Sequence, residues 1–267
     1  MRLIDGTLVK EPGQGGSQWR VHYSLRVPEW TCDYFHLSPA EGNNTAESLR
    51  HFPINPSDCL IADRGYSHAA GIHHVHQHRG HFIVRHHAQG LIVHDEKGAR
   101  FDLLEWLREL DQPGHCASRL VTVPGEGLAV AARLCAVRKS QEAILATQRR
   151  LRRRAQKNCA QLREQTLDYA QWVLVLTNVP SDLLSLEEVL EWYRIRWQVE
   201  LAFKRLKSLA DLGHLPKHDP SSSRAWLYGK LLIALLTEKM QRYAKALSPW
   251  GMRWLEQESP AQPLEGE

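Results

Sequence analysis

Cysteine is scarce in this chain and follows no pattern. The five residues Cys32, Cys59, Cys116, Cys135 and Cys159 are odd in number, scattered and free of any C-x-x-C pair. That sets aside a disulfide framework and a thiolate zinc ribbon, and it fits reduced thiols in a cytoplasmic protein. Long apolar runs are missing too. No signal-type apolar segment follows Met1, and the run Leu231 to Leu236 is far too short to span a bilayer, so no membrane partner is expected. Nor does charge of one sign dominate: 34 Lys and Arg stand against 30 Asp and Glu in 267 residues, with a pI near 8.8. Such a balance is compatible with nucleic acid without demanding it. Finally, the glycines Gly13, Gly15 and Gly16 of EPGQGGS are not followed by G-K-[ST]. They lie between two predicted strands and read as a hairpin turn rather than a phosphate loop, so no nucleotide cofactor is implied.

What the chain does have is a set of acids in unusual company. Asp5 interrupts the apolar run RLIDGTLV, and Asp63 ends the apolar run of CLIADRGY. Both read as buried strands that stop at a carboxylate. A carboxylate at such a place is costly unless it is paired, capped or bound to metal. A third acid, Glu200, stands in EWYRIRWQVELAFKRLKSL, whose periodicity predicts one amphipathic helix. At about 100° per residue, Tyr193, Arg196, Glu200 and Lys207 fall within roughly 60° of one another. Trp192, Val199, Phe203, Leu206 and Ala210 form a separate apolar stripe. Alone, one acid with two cations equally describes a solvated face. Together, Asp5, Asp63 and Glu200 make an oxygen-only ligand set of the kind that binds Mg²⁺ or Mn²⁺. Two such ions can activate an attacking hydroxyl and stabilise a leaving oxygen in phosphodiester displacement. Arg196 and Lys207 are then placed to hold phosphate oxygens, and Tyr193 to bond a phosphate or stack on a base.

With these residues in view, the chain resembles the DDE transposases of bacterial insertion sequences, specifically the insertion sequence 4 group with its YREK signature. The resemblance rests on Tyr193, Arg196, Glu200 and Lys207, on ADRGY at 62 to 66, on TNVP at 177 to 180, and on IDGTLVKEPGQGGSQWRVHYS. It spans most of the chain. It implies that Asp5, Asp63 and Glu200 form the metal-binding triad, and that Tyr193, Arg196 and Lys207 contact DNA near the scissile phosphate. It further implies hydrolytic nicking at the transposon end followed by strand transfer from the freed 3′ hydroxyl. The implied partners are double-stranded DNA, as terminal inverted repeats and as target, and a second copy of the chain in the DNA complex. The implied location is the cytoplasm, with nucleoid association when DNA is bound.

Read coarsely, the chain gives strands at Arg2 to Val9, Gln18 to Val27 and Trp30 to Leu37, a short helix at Ala46 to Phe52, and the strand that reaches Asp63. A helix from Ser67 to Gln77 and a strand from His81 to His86 follow. This order predicts an α/β fold with an RNase H-like mixed sheet flanked by helices, in which the first and fourth strands lie side by side and bring Asp5 to Asp63. The expected organisation is a core in two parts, 1–87 and 171–255, an α+β insertion at 88–170 between the second Asp and the Glu, and a loose tail at 256–267. Within the insertion, a helix is expected at Leu103 to Leu110, strands at Ser118 to Val123 and Leu128 to Val137 about a PGEG turn, and one helix over Ser140 to Gln165. The core resumes with a strand at Gln171 to Thr177, and a terminal helix is expected at Ala225 to Ala246. Arg149, Arg150, Arg152, Arg153 and Arg154 make a basic run on the Ser140 helix, the commoner reading of which is a solvated face and the functional one a DNA-backbone track.

Nine histidines fall between His68 and His94, with His74 and His78 one turn apart. No Cys or carboxylate completes a zinc pattern, so polar facing is the expectation. The nine tryptophans are expected as core or interface anchors. In the family, a helical region for end recognition precedes the first catalytic strand, whereas here Asp5 follows Met1 closely, which suggests an N-terminally truncated reading frame. A metal-dependent transposase domain is therefore set against a non-catalytic DNA-binding remnant or regulator. A standalone nuclease on the same fold is the third reading.

Overall fold

Eight strands join one mixed sheet in a computed structural model of the chain. It describes all residues except 11–17, 41–46, 126, 128, 210, 213, 214, 216–218 and 248–267. The strands are β1 (Arg2–Lys10), β2 (Gln18–Arg26), β3 (Thr31–Pro39), β4 (Cys59–Ala62), β5 (His81–Arg85), β6 (Cys116–Val123), β7 (Val130–Arg138) and β8 (Trp172–Thr177), in the order β3-β2-β1-β4-β5-β8-β7-β6. The β1–β4 and β4–β5 pairs are parallel, while β5–β8, β8–β7 and β7–β6 are antiparallel. The order β3-β2-β1-β4-β5 is the one expected of an RNase H-like core. Segment 88–170 widens the same sheet, because β7 pairs along β8 and β6 along β7.

The central strands are short and apolar because both faces are covered. Ile4, Leu60, Ala62, Phe82, Val84, Leu174 and Leu176 point into a core shared with Ile72 and Val75 of α1 (Ala69–Gln77) and with Trp106 and Leu107 of α2 (Leu103–Arg108). The alternate residues Leu3, Ile61, Ile83 and Val175 are equally buried on the other face, where α5 (Leu186–Arg194) packs on β4, β5 and β8. A capping box starts α5: Ser185 Oγ accepts from the Glu188 amide while Glu188 Oε2 accepts from the Ser185 amide at 2.7 Å. Two polar staples fix the end of β8. Asn178 takes the Phe82 amide at 2.8 Å and donates to the Gly80 carbonyl, and buried Arg133 donates to the carbonyls of Leu184 and Val179.

Several elements differ from expectation for local reasons. The short helix before Pro53 is only a 3-10 turn, Leu49–His51, capped by Ser48, because a residue before proline is pushed to extended backbone. The basic helix α3 (Gln141–Lys157) stops at Asn158, with Cys159 at φ 49°, and a separate α4 (Glu164–Tyr169) follows. Asp5 lies inside β1 rather than at its end. The segment around Glu200 is two helices, α5 and α6 (Trp197–Leu209), because Arg196, Gln198 and Val199 donate to carbonyls three residues back and tighten the turn. Tyr193 and Glu200 therefore do not share one continuous helical face.

The chain divides into two compact units, Met1–Leu8 with Trp19–Ala202, and Val9–Gln18 with Phe203–Glu267. In the second unit α7 (Pro220–Leu247) buries Ser223, Leu227 and Leu231 at four-residue spacing. Gly13, Gly15, Gly16, Trp250, Trp254 and the expected tail lie outside the described residues, as does Ala210 of the expected apolar stripe. No described helix is long and apolar enough to cross a membrane.

Candidate active site

The parallel register sets the first two acids side by side. Arg2 pairs with Leu60 and Leu3 with Ile61, so the parallel strands lead toward Asp5 and Asp63 side by side, and the Asp63 charge is felt at Asp5. The pleat turns Asp5 to the same face as Leu3, the face that carries α5. Each acid is oriented by a glycine amide. Gly6 N–H donates to Asp5 Oδ1 at 2.8 Å, and Gly65 N–H donates to Asp63 Oδ1, which caps the 3-10 turn Arg64–Tyr66. Burial is the main reason that the Asp5 carboxyl is pushed up to about 6. The Gly6 amide and Arg196 oppose the shift, and the carboxylates of Asp63 and Glu47 add to it.

Arg196 links the third acid to the first. Its Nη2 donates to Glu200 Oε1 at 2.5 Å, and its Nη1 lies 3.5 Å from Asp5 Oδ2. The guanidinium is mostly buried, whereas the Glu200 side chain is half exposed. Asp5, Asp63, Arg196 and Glu200 thus gather within one unit, although among the described residues no three acids already stand at metal-ligating distance. The donor chemistry nevertheless fits a hard divalent cation: the ligands are oxygen only, two carboxylates are adjacent, and one of them is costly to ionise without further positive charge. Lys207 belongs to the second unit and is exposed.

Beside Asp63 opens a cleft of about 480 Å³ that Tyr193 and Arg196 also line. Besides Arg196, its Lys and Arg residues come from four places in the sequence: Arg64 after β4, Arg85 at the end of β5, Lys139 after β7, and Arg150 with Arg154 on α3. The basic run therefore splits. Arg150 and Arg154, one turn apart, line the cleft together with Thr147 and Leu151, while Arg149, Arg152 and Arg153 are exposed outside its lining. Lys139 Nζ donates to the Ala170 carbonyl at 2.6 Å. Burial above all, then the nearby charges of Arg85, Arg150 and Arg64, brings its pKa down to about 8. A lysine charge opposed by three neighbouring guanidiniums is one that a bound polyanion would stabilise.

Sequence reading missed Arg85 and Lys139, and it missed Glu47, whose carboxylate pairs with Arg20 at 2.8 Å and faces Asp63. Each is an isolated charge in an irregular or strand-end segment, so periodicity gives no signal. Two members of the histidine cluster bond to backbone carbonyls: His78 Nδ1 donates to the His74 carbonyl at 2.8 Å, and His73 Nε2 to that of Pro124.

The family model described as "Transposase DDE domain" matches residues 38–236. The chain is 36% identical over 244 residues to the putative transposase InsL for insertion sequence element IS186A of Escherichia coli (strain K12), and equally to the transposase for insertion sequence element IS421 of Escherichia coli. It is 24% identical over 269 residues to the transposase for insertion sequence element IS231F of Bacillus thuringiensis subsp. israelensis. These alignments cover 89%, 89% and 88% of this chain, but only 65% of the two Escherichia coli proteins and 55% of the Bacillus one. A family match across most of the length, joined to more than a third identity with two transposases, means that the chain belongs to the transposase DDE domain family.

Proposed function

We propose that this chain is the metal-dependent phosphodiester-cutting and strand-transferring domain of an insertion-sequence transposase. The observation that carries the reading is that Arg196, paired with both Asp5 and Glu200, lines together with Asp63 a cleft that also holds Arg64, Arg85, Lys139, Arg150 and Arg154. A phosphodiester backbone laid in that cleft would be held by guanidinium forks and the lysine charge, with Tyr193 beside it. Asp5, Asp63 and Glu200 would hold Mg²⁺ or Mn²⁺, two ions on the family pattern. When bound, the metal supplies Lewis-acid stabilisation of the attacking and leaving oxygens. Gly6 and Gly65 keep the aspartates oriented. Arg196, which spans Asp5 and Glu200, would exchange one carboxylate for a phosphate oxygen as DNA enters. The further expectations belong to the same proposal: terminal inverted repeats and target DNA as duplex partners, Lys207, Arg149, Arg152 and Arg153 as backbone contacts, membership of the insertion sequence 4 group, a homodimer in the DNA complex, and work in the cytoplasm at the nucleoid.

The test is Mg²⁺- or Mn²⁺-dependent nicking of a duplex that carries the element's own ends, comparing the chain with Glu200→Gln. Nicking at the end that disappears in the variant supports the reading. One observation favours the alternative of a DNA-binding remnant, namely that Arg196 already neutralises Asp5 and Glu200. Salt-sensitive DNA binding by both proteins with nicking by neither would establish it.

A further inference from the structure

Outside the triad, the largest unexplained group of polar side chains near the aspartates is Glu47 with Arg20 and Tyr66. Glu47 Oε1 accepts from Arg20 Nη1 at 2.8 Å, and both side chains are mostly buried. The acid is wedged against the two glycines that orient the catalytic aspartates. A methyl group added at Gly65 would overlap Glu47 Oε2, and one added at Gly6 would meet the Tyr66 hydroxyl at 3.3 Å and Glu47 Cγ at 3.4 Å. Gly65 gives its amide to Asp63 and Gly6 gives its amide to Asp5. Tyr66 is fully buried.

We infer that Glu47 is a positioning residue of the active centre: braced by Arg20, it props the Gly6 and Gly65 backbones and so fixes the two aspartates for a divalent cation. This rests on the metal-dependent reading given above. The physical case is steric and local. At Gly65 the end of the Glu47 side chain occupies the space where a Cβ would sit, and at Gly6 the Glu47 stem and the Tyr66 hydroxyl lie in contact with that space. The Glu47 side chain is held by the Arg20 guanidinium, which donates to Glu47 Oε1 at 2.8 Å. Groups that orient metal ligands typically change metal affinity by about 10–100-fold when removed.

The inference predicts a specific pattern in Mn²⁺ binding to the whole chain, read by titration calorimetry with thermal melting to show that each variant is folded. Glu47→Ala should bind Mn²⁺ about tenfold more weakly, and Glu47→Gln, which fills the same space, should recover most of that loss. Gly65→Ala expels the far end of the Glu47 side chain and should weaken binding as Glu47→Ala does. The double variant Gly65→Ala/Glu47→Ala should then be little worse than either single one, because both remove the same contact. Unchanged Mn²⁺ affinity in folded Glu47→Ala overturns the inference, as do fully additive losses. A Gln variant as weak as the Ala variant also overturns it, by showing that Glu47 acts through its charge. If Asp63→Asn leaves wild-type Mn²⁺ affinity untouched, the metal-dependent reading itself fails, a result distinct from failure at Glu47 alone.

Discussion

Arg2 is a cation enclosed by the fold, 2% exposed, and nothing in the run RLIDGTLV marks it as structural. Its Nε contacts Asp33 Oδ2 at 2.9 Å and Ser24 Oγ at 3.1 Å, and its Nη1 donates to the Pro53 carbonyl at 2.5 Å and reaches Asp58 Oδ2 at 3.4 Å. Removing one partner of such a network leaves the others buried and unpaired. Arg2→Ala should therefore cost about 3–5 kcal/mol, measured as a fall in the urea midpoint at constant slope. Two histidines predict the acid limb. Burial, then His51, His36 and Arg20, lowers His22 to about 3. Burial and His87 lower His86 to about 4. Both are neutral when folded and protonate near 6.5 when unfolded, so the unfolded state binds more protons below that pH. The contribution of these two histidines should be full above about 6.5 and decline as pH falls through the window toward 3 to 4. His22→Gln should flatten that decline, and an unaltered slope would show that His22 is not its source.

At the scale of elements, α3 shows how geometry sorts a charge run. Five arginines within six positions read alike in the sequence, yet a helix can turn only one stripe to a cleft, and here the stripe holds Thr147, Arg150, Leu151 and Arg154. Arg150→Ala with Arg154→Ala should lower DNA affinity and reduce the salt-dependence slope by about 2. The pair Arg149→Ala with Arg152→Ala should change both less, and equal effects would argue against the cleft as the backbone path. The α5–α6 break makes a related point. Amphipathic periodicity predicted one helix through Glu200, and the pattern does continue, with Val189, Val199 and Phe203 buried. Periodicity reports which residues face a core and does not reveal a single turn of tighter hydrogen bonding between two helices. Arg196 sits in that turn and pairs with both Asp5 and Glu200.

For the whole molecule, the acids that threaten the metal-free fold are the ones a cation would stabilise. Asp5 beside Asp63, with Glu47 near both, accumulates negative charge within buried backbone. Mn²⁺ at about 100 times its dissociation constant should raise stability by about 2.7 kcal/mol. The rise in melting temperature should be reversed by EDTA and absent from Asp63→Asn. A shift of equal size in that variant would place the ion elsewhere.

Much of this was legible in the sequence. Apolar runs fixed the central strands and their order, since β4, β5 and β8 must bury both faces and the connecting segments allow few arrangements. The exceptional placement of Asp5 and Asp63 in such runs named two candidate site residues, and the spacing from Arg196 to Glu200 is one helical turn. What tertiary structure alone decided was which isolated charges meet. Arg64, Arg85, Lys139 and Arg154 come to one cleft through sheet register and crossover geometry, and Glu47 reaches Gly65 across eighteen positions of chain with no local pattern. Local sequence encodes periodicity because side-chain direction repeats along a strand or helix. Contacts between distant segments depend on register and packing, and no single segment carries that information.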